Sequence, residues 1–340
     1  VYTSAALLAF DTAPTFVVTT ASGEQAVVVN DVDAGFMERY SPIERVLRFP
    51  YGAGSRAASV EALGDVLDEL GLGQGAVGIE LAAIGPDGLQ ALRGRFPALA
   101  WREGREVFER VRLVKTPGEI ELLRAAAQAT LAAIADALSE AGDQPTERGL
   151  AAAIQCNALR AGADDLGHTL VNAGENSTLV HSIAFERQMR PGEVLHVDVG
   201  ARFAGYTSDV ARNAVLGEPA PRQADVQSRL RDAYEAVVES IGPGQRGSEV
   251  YHRTRAELER VGLPCEWQSV GHSVGLSLHE GLDLGPAEET RLLPGMVICV
   301  EPSVVVAGDA RYDLEDMLLV TSSGVERLSS GLDGLNRIGR

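Results

Sequence analysis

Hydrophobic positions along the chain change rhythm near residue 110. Before that point, short apolar runs alternate with helical spacing. TFVVTT and EQAVVVND read as two paired strands joined across Ser22-Gly23. VEALGDVLDELG places Leu63, Val66, Leu67 and Leu70 on one helical face and stops at Gly71. AVGIEL predicts a short buried strand and PDGLQALRGRF a helix after it, so residues 1–108 predict a small α/β domain. From Thr116 the periods lengthen. TPGEIELLRAAAQATLAAIADALSEAG predicts a long helix with Thr116 as N-cap, Pro117 at the first helical position and Glu119 closing a capping box. TERGLAAAIQCNALRAG predicts a second helix with a similar start. Strands follow in HTLVNAG and EVLHVDVGARFAGYTSDVARNAVLG, then helices over about 224–241 and 247–261, then strands in MVICVEPSVVV and ARYDLEDMLLVTSSG. Residues 109–340 therefore predict helix, helix, hairpin, repeated once, with little sequence likeness between the halves.

Composition narrows the classes. The chain has 340 residues, 45% hydrophobic and 23% charged, which suits a two-domain globular protein. Its formal net charge of −18 disfavours nucleic acid and anionic membrane surfaces as partners. No apolar run reaches the length of a membrane span. VYTSAALLAF lacks the basic start of a signal peptide. Cys156, Cys265 and Cys299 are an odd number without metal-type spacing, which predicts reduced thiols and a cytoplasmic setting.

The chemistry lies in the second part. Asp198, Asp209, His272, Glu301 and Glu315 occur in that order, and the four acids form two pairs, each spanning a predicted hairpin. Folding the first hairpin between Phe203 and Ala204 sets Asp198 opposite Asp209, and such residues have Cβ atoms roughly 5 Å apart. Folding the second at Gly308 sets Glu301 opposite Glu315. One acid on a strand is ordinarily solvated or salt-bridged. Three of these four interrupt apolar strands (HVDVG, ICVEPSVVV, LEDMLLV), where a carboxylate is rare unless paired or metal-bound. Four carboxylates brought together need counter-charge, and a pair of divalent ions supplies it. Asp316 faces the other way and reads as a bystander. His168, His196 and His252 read as ordinary core or surface histidines, although His196 shares the face of Asp198. The oxygen-rich donor set with one imidazole favours hard or borderline ions such as Mn²⁺.

The ordered segments HVDVGARFAGYTSDVAR, GHSVGLSLHE, GMVICVEP and LEDMLLV resemble the pita-bread metallopeptidases: Xaa-Pro dipeptidases (prolidases), aminopeptidase P and methionine aminopeptidases. RVRLVKTPGEIELLRAAA and VNAGENSTLVHSIAF look like the proline-specific branch. The resemblance implies a pita-bread catalytic domain over 109–340 behind a shortened creatinase/prolidase-type domain over 1–108. It also implies two divalent ions: Mn²⁺ or Co²⁺, sometimes Zn²⁺. Asp209 and Glu315 would bridge them, Asp198 would hold one ion, and His272 with Glu301 the other. Glu301 would also carry a proton to the leaving nitrogen. His279 would stabilise the tetrahedral intermediate, and His181 would contact substrate near the scissile bond. Members of the branch are often homodimers.

The chain departs from that pattern in places. HExPR of the prolidases is HEGLD here, so Asp283 stands where an arginine would grip a dipeptide carboxylate. The arginine of R-I-E is Asp313, with Arg311 two residues earlier, and the glycine after Glu-Pro is Ser303. A dipeptide still needs a cation for its carboxylate. RYSPIERVLRFPYGAGSR offers Arg45 or Arg48 for that role, with surface pairing to Glu38 and Glu44 as the alternative. The function expected is hydrolysis of the Xaa-Pro bond at a peptide N-terminus, in dipeptides as first choice and in longer peptides as the alternative. Methionine aminopeptidases usually lack the extra domain. Metal-free pita-bread amidinohydrolases and binding modules lose ligands that this chain keeps.

Overall fold

The computed structural model describes residues 13–263 and 265–338. The N-terminal segment read as lacking a signal peptide lies outside them. Contacts divide the chain into two compact units, one ending at Phe108 and the other starting at Glu109.

In the first unit, strands Phe16–Thr19, Gln25–Asn30 and Val46–Phe49 form one sheet, the first pair antiparallel and the second parallel. Helix Ser55–Glu69 covers it, with Leu63, Val66 and Leu67 buried as its spacing requires. The helix begins five residues before the segment that carries its apolar face. Among the described residues strand Gly75–Ile79 pairs only with Leu99–Glu103, and none of its residues is buried, contrary to the buried strand expected. Its apolar composition serves one side of a two-stranded ribbon rather than a sheet interior. The next helical stretch, Leu81–Arg95, is broken at Gly85 (φ +73) before Pro86, so the regular helix starts where PDGLQALRGRF starts.

The second unit opens with helix Pro117–Glu140. The Thr116–Glu119 capping box is formed, Thr116 N donating to Glu119 Oε2 at 2.7 Å. Helix Glu147–Arg160 is capped by Thr146. One sheet has the strand order 336–338, 210–216, 194–203, 165–173. After helices Pro221–Ser240 and Gly247–Arg260, a second sheet has the order 271–273, 297–300, 316–320, 325–327. Bridging pairs join the sheets: Ala211 opposes Glu315, and Asp313 N donates to Asn213 Oδ1 at 2.7 Å. Apolar clusters back both sheets, one around Leu230, Tyr234, Tyr251 and Ile298, another around Ile134, Ile154, Val197 and Val199. The charged residues discussed next therefore stand on β-structure braced from behind. No helix among the described residues is long and apolar enough to cross a membrane.

Candidate metal centre

The two hairpins present their acids in different ways. In the first, Asp198 pairs with Ala211, Val199 with Val210, and Phe203 with Tyr206, so the turn centres between Ala204 and Gly205. The turn takes its two left-handed residues there, Ala204 at φ +49 and Gly205 at φ +83. The register is thus two positions away from the direct Asp198–Asp209 opposition expected from the midpoint. A shift of two preserves the face, so the acids meet diagonally.

The second hairpin turns at Gly308 (φ +72) as expected, and Ser303 pairs with Asp313 and Val300 with Asp316. That register sets Glu301 across from Glu315, but the ladder opens there. Glu301 N donates instead to Val270 O at 2.9 Å, and Glu315 N to Ala211 O at 3.2 Å. Each glutamate backbone is thereby tied to a third strand, which draws the first hairpin and the His272 strand in beside the acids.

Two overlapping donor groups result. Ligand atoms of Asp209, His272, Cys299 and Glu315 lie within 4.8 Å of one another, as do those of His168, Asp198 and Asp209. Asp209 belongs to both. His272 Nε2 lies 3.3 Å from Asp209 Oδ2 and 3.9 Å from Glu301 Oε1. His168, expected to be ordinary, reaches the acids: its Nε2 is 2.7 Å from Asp198 Oδ1 and 3.3 Å from Asp209 Oδ1. Two of the other three bystanders fit that reading. His252 is exposed against Tyr251, and Asp316 is buried away from the acids, accepting from Arg212, Ser329 and Tyr234.

The electrostatics are those of anions lacking sufficient counter-charge. Burial, then the charges of Asp209, Glu301, Asp198 and Asp313, push the Glu315 carboxyl well above its ordinary value. Burial and the neighbouring Asp313, with Asp209 and Asp198 adding, push Glu301 up to about 8. Burial acts on Asp209 in the same direction, but His168 and His272 overcome it and hold its carboxyl at about 2. Among the described residues Glu315 Oε1 is buried without a hydrogen-bond partner, an orphan that a cation would satisfy. Carboxylate oxygens and imidazole nitrogens suit divalent ions, so the residues present fit a metal pair. Burial and the surrounding carboxylates push the Cys299 thiol well above its ordinary value.

The other expected residues fall at different distances. The His279 ring stacks on that of His272 with centroids 3.8 Å apart, and its Nδ1 lies 3.1 Å from Asp283 Oδ1. The segment carrying it is pinned by a buried pair, with Lys115 Nζ 3.1 Å from Glu280 Oε2. His181 sits exposed on the turn after the short helix Gly174–Thr178, in a left-handed conformation (φ +59), and shares no hydrogen bond with the four acids among the described residues. Arg48 pairs with Glu38 on the surface of the first unit, and Arg45 is exposed. Arg311 and Asp313, departures from the family pattern, are both buried near the acids. Arg311 donates to Ser303 Oγ at 2.7 Å and to Asp313 Oδ2 at 2.6 Å. His196 Nε2 lies 3.4 Å from that same Asp313 oxygen. Ser303 and Asp313, both unusual against the pattern, thus hold Arg311 together.

Comparison with known proteins places this arrangement. Residues 121–322 match the model of metallopeptidase family M24. The chain is similar to the Xaa-Pro dipeptidase of Pyrococcus furiosus, 30% identical over 226 residues, which are 66% of this chain and 65% of that protein. The match thus spans slightly less than two thirds of that relative's length. A solved Xaa-Pro dipeptidase from Bacillus anthracis superposes with a TM-score of 0.85 at 25% identity, covering 97% of this chain and 91% of its own. An X-Pro aminopeptidase from Thermotoga maritima shares the fold with a TM-score of 0.85 at 20% identity, covering 95% and 90%. The fold is the pita-bread fold of these peptidases, and the chain belongs to metallopeptidase family M24.

Proposed function

We propose that the protein is a dinuclear metallopeptidase that cleaves the bond between an N-terminal residue and proline, with Xaa-Pro dipeptides as its substrates. The observation that carries this reading is the pair of donor groups sharing Asp209. In the proposed assignment Asp209 and Glu315 would serve both ions, Asp198 would help to hold one of them, and His272 with Glu301 the other. Mn²⁺ is the ion proposed, with Co²⁺ or Zn²⁺ as substitutes, because oxygen donors predominate. Once bound, the ions would supply an activated water and a Lewis acid for the peptide carbonyl.

The remaining steps belong to side chains. The Glu301 side chain is 25% exposed, against 14% for Asp198 and 5% for Asp209, so it is the most accessible of these three acids. It accepts a proton and delivers it to the proline nitrogen as the C–N bond breaks. His279, stacked on His272 and held by Asp283, donates a hydrogen bond to the carbonyl oxygen as that oxygen gains charge. His181 contacts substrate near the scissile bond. A proline nitrogen has no hydrogen, so a site built on ions and carboxylates loses nothing by its absence. Arg45 or Arg48 binds the carboxylate of the dipeptide. The enzyme works in the cytoplasm as a homodimer, a setting consistent with its free cysteines.

The test is hydrolysis of Met-Pro and of a Met-Pro-Xaa tripeptide by protein stripped with a chelator and then given Mn²⁺. Mn²⁺-dependent cleavage of the dipeptide is expected. Preference for the tripeptide would move the reading to aminopeptidase P. Absence of turnover with metal bound would defeat the proline specificity.

A further inference from the structure

We infer that His168 is a sixth protein ligand of the metal pair, completing the half-site formed by Asp198 and Asp209. The inference rests on the dinuclear reading above and deepens it. Without His168 one ion would have an all-carboxylate set, while the other has His272. With it, each ion has one imidazole.

Geometry carries the assignment. Metal–ligand bonds of about 2.1 Å put neighbouring donors about 3.0 Å apart in an octahedral shell and about 3.4 Å apart in a tetrahedral one. His168 Nε2 stands 2.7 Å from Asp198 Oδ1 and 3.3 Å from Asp209 Oδ1, close to that range. The fold is also shaped to bring the ring there. His168 lies on strand Asp165–Ala173, which shifts register against Val194–Phe203 between Leu166 and His168. Such an irregularity re-aims side chains. Across the ladder stands Gly200, where a Cβ would sit 2.5 Å from the His168 ring carbon Cε1 and 2.6 Å from its Nδ1. Only a residue without a side chain leaves the ring room to lie flat over the neighbouring strand and reach the acids.

An alternative use of the same geometry is a fixed counter-charge, a protonated His168 that competes with metal. The two uses predict opposite outcomes. Full-length wild type, His168→Ala and His168→Gln are stripped with chelator and titrated with Co²⁺, followed by calorimetry and visible absorption. Wild type should take up two ions. Each variant should keep one ion at wild-type affinity, bind the other at least tenfold more weakly, and lose part of the visible band. In the variants the weakened site should also favour Mn²⁺ over Co²⁺ more than wild type does, since it has lost its nitrogen donor. If His168→Ala misfolds, His168→Gln, close in size to the imidazole, decides. Two ions bound within twofold of wild type, with an unchanged spectrum, would overturn the assignment, and tighter binding would make His168 the counter-charge. A wild type that binds no Co²⁺ would overturn the dinuclear reading as well, which separates the two failures.

Discussion

At the residue scale, Asp283 shows how one substitution redistributes a site. The arginine expected there would have bound a substrate carboxylate. The aspartate instead holds His279 Nδ1 at 3.1 Å while the ring lies against His272. An N–H donated from Nδ1 fixes the tautomer and the ring plane. Asp283→Ala should therefore lower kcat on Met-Pro by about tenfold or more, with KM little changed. The Asp283 side chain is 66% exposed, so the melting temperature should not move. A variant with full kcat would remove Asp283 from the account of His279. In the proposed dipeptidase the lost cation would have to be replaced elsewhere. If Arg45 or Arg48 replaces it, Arg45→Ala with Arg48→Ala should raise KM for Met-Pro at least tenfold and spare the tripeptide. Equal effects on both substrates would reduce the pair to surface charges such as the Arg48–Glu38 contact. Residue identity made the four acids legible, because carboxylates in apolar strands demand a reason. His168 was not legible: its nearness to Asp198 depends on which strand lies beside 194–203, and hydrophobic alternation within one strand does not say.

At the scale of elements, the second hairpin was read in its true register because Gly308 supplies an unambiguous turn. The first was read two positions off because Ala204, a residue that rarely takes positive φ, shares the turn with Gly205. The face survived the error because side chains alternate with period two. What hydrophobic pattern could not reveal is the opening of the ladder at Glu301 and Glu315, which depends on hydrogen bonds to Val270 and Ala211. The His272 strand has a tight constraint of its own. Gly271 has φ +150, and a Cβ there would stand 2.1 Å from Cys299 O. Gly271→Ala must therefore separate strands 271–273 and 297–300, carrying His272 away from Asp209. Loss of metal binding together with a lower melting temperature is expected, and retention of two ions would contradict this account of the strand. Lys115 and Glu280 test the adjacent segment. Both side chains are almost fully buried, at 1% and 3% exposure, and removing one partner of such a pair costs about 3–5 kcal/mol. Lys115→Met should lower stability on that scale in denaturant titration. A loss below 1 kcal/mol would mean that apolar packing, rather than the ion pair, holds the segment.

At the scale of the whole molecule, the question is how a chain with a net charge of −18 keeps four acids together in its interior. The catalytic unit surrounds them with apolar packing on both sheets, which lowers the local dielectric and sharpens their repulsion. In the protein alone, the nearby Arg311 is taken up by Asp313, so two imidazoles provide the remaining positive charge. Burial opposes charge on both, but the acids prevail and push His168 up to about 11 and His272 up to about 9. These two charges do not balance four carboxylates, and the raised Glu301 and Glu315 record the deficit. Divalent ions bound only to the folded state should therefore act as structural ligands as well as catalytic ones. One site held at a hundred times its Kd adds about 2.7 kcal/mol of stability. Stripping the protein with a chelator should lower its melting temperature, and Mn²⁺ should restore it in a concentration-dependent way that monovalent salt of equal ionic strength does not match. Salt only screens the repulsion over distances of about 8–10 Å, whereas ions occupying the two donor groups would neutralise it at contact. If chelation leaves the unfolding curve unchanged, the imidazoles and the protonation of Glu301 and Glu315 already suffice. The acids would then have been kept for turnover alone, since the folded state would gain nothing from the metal.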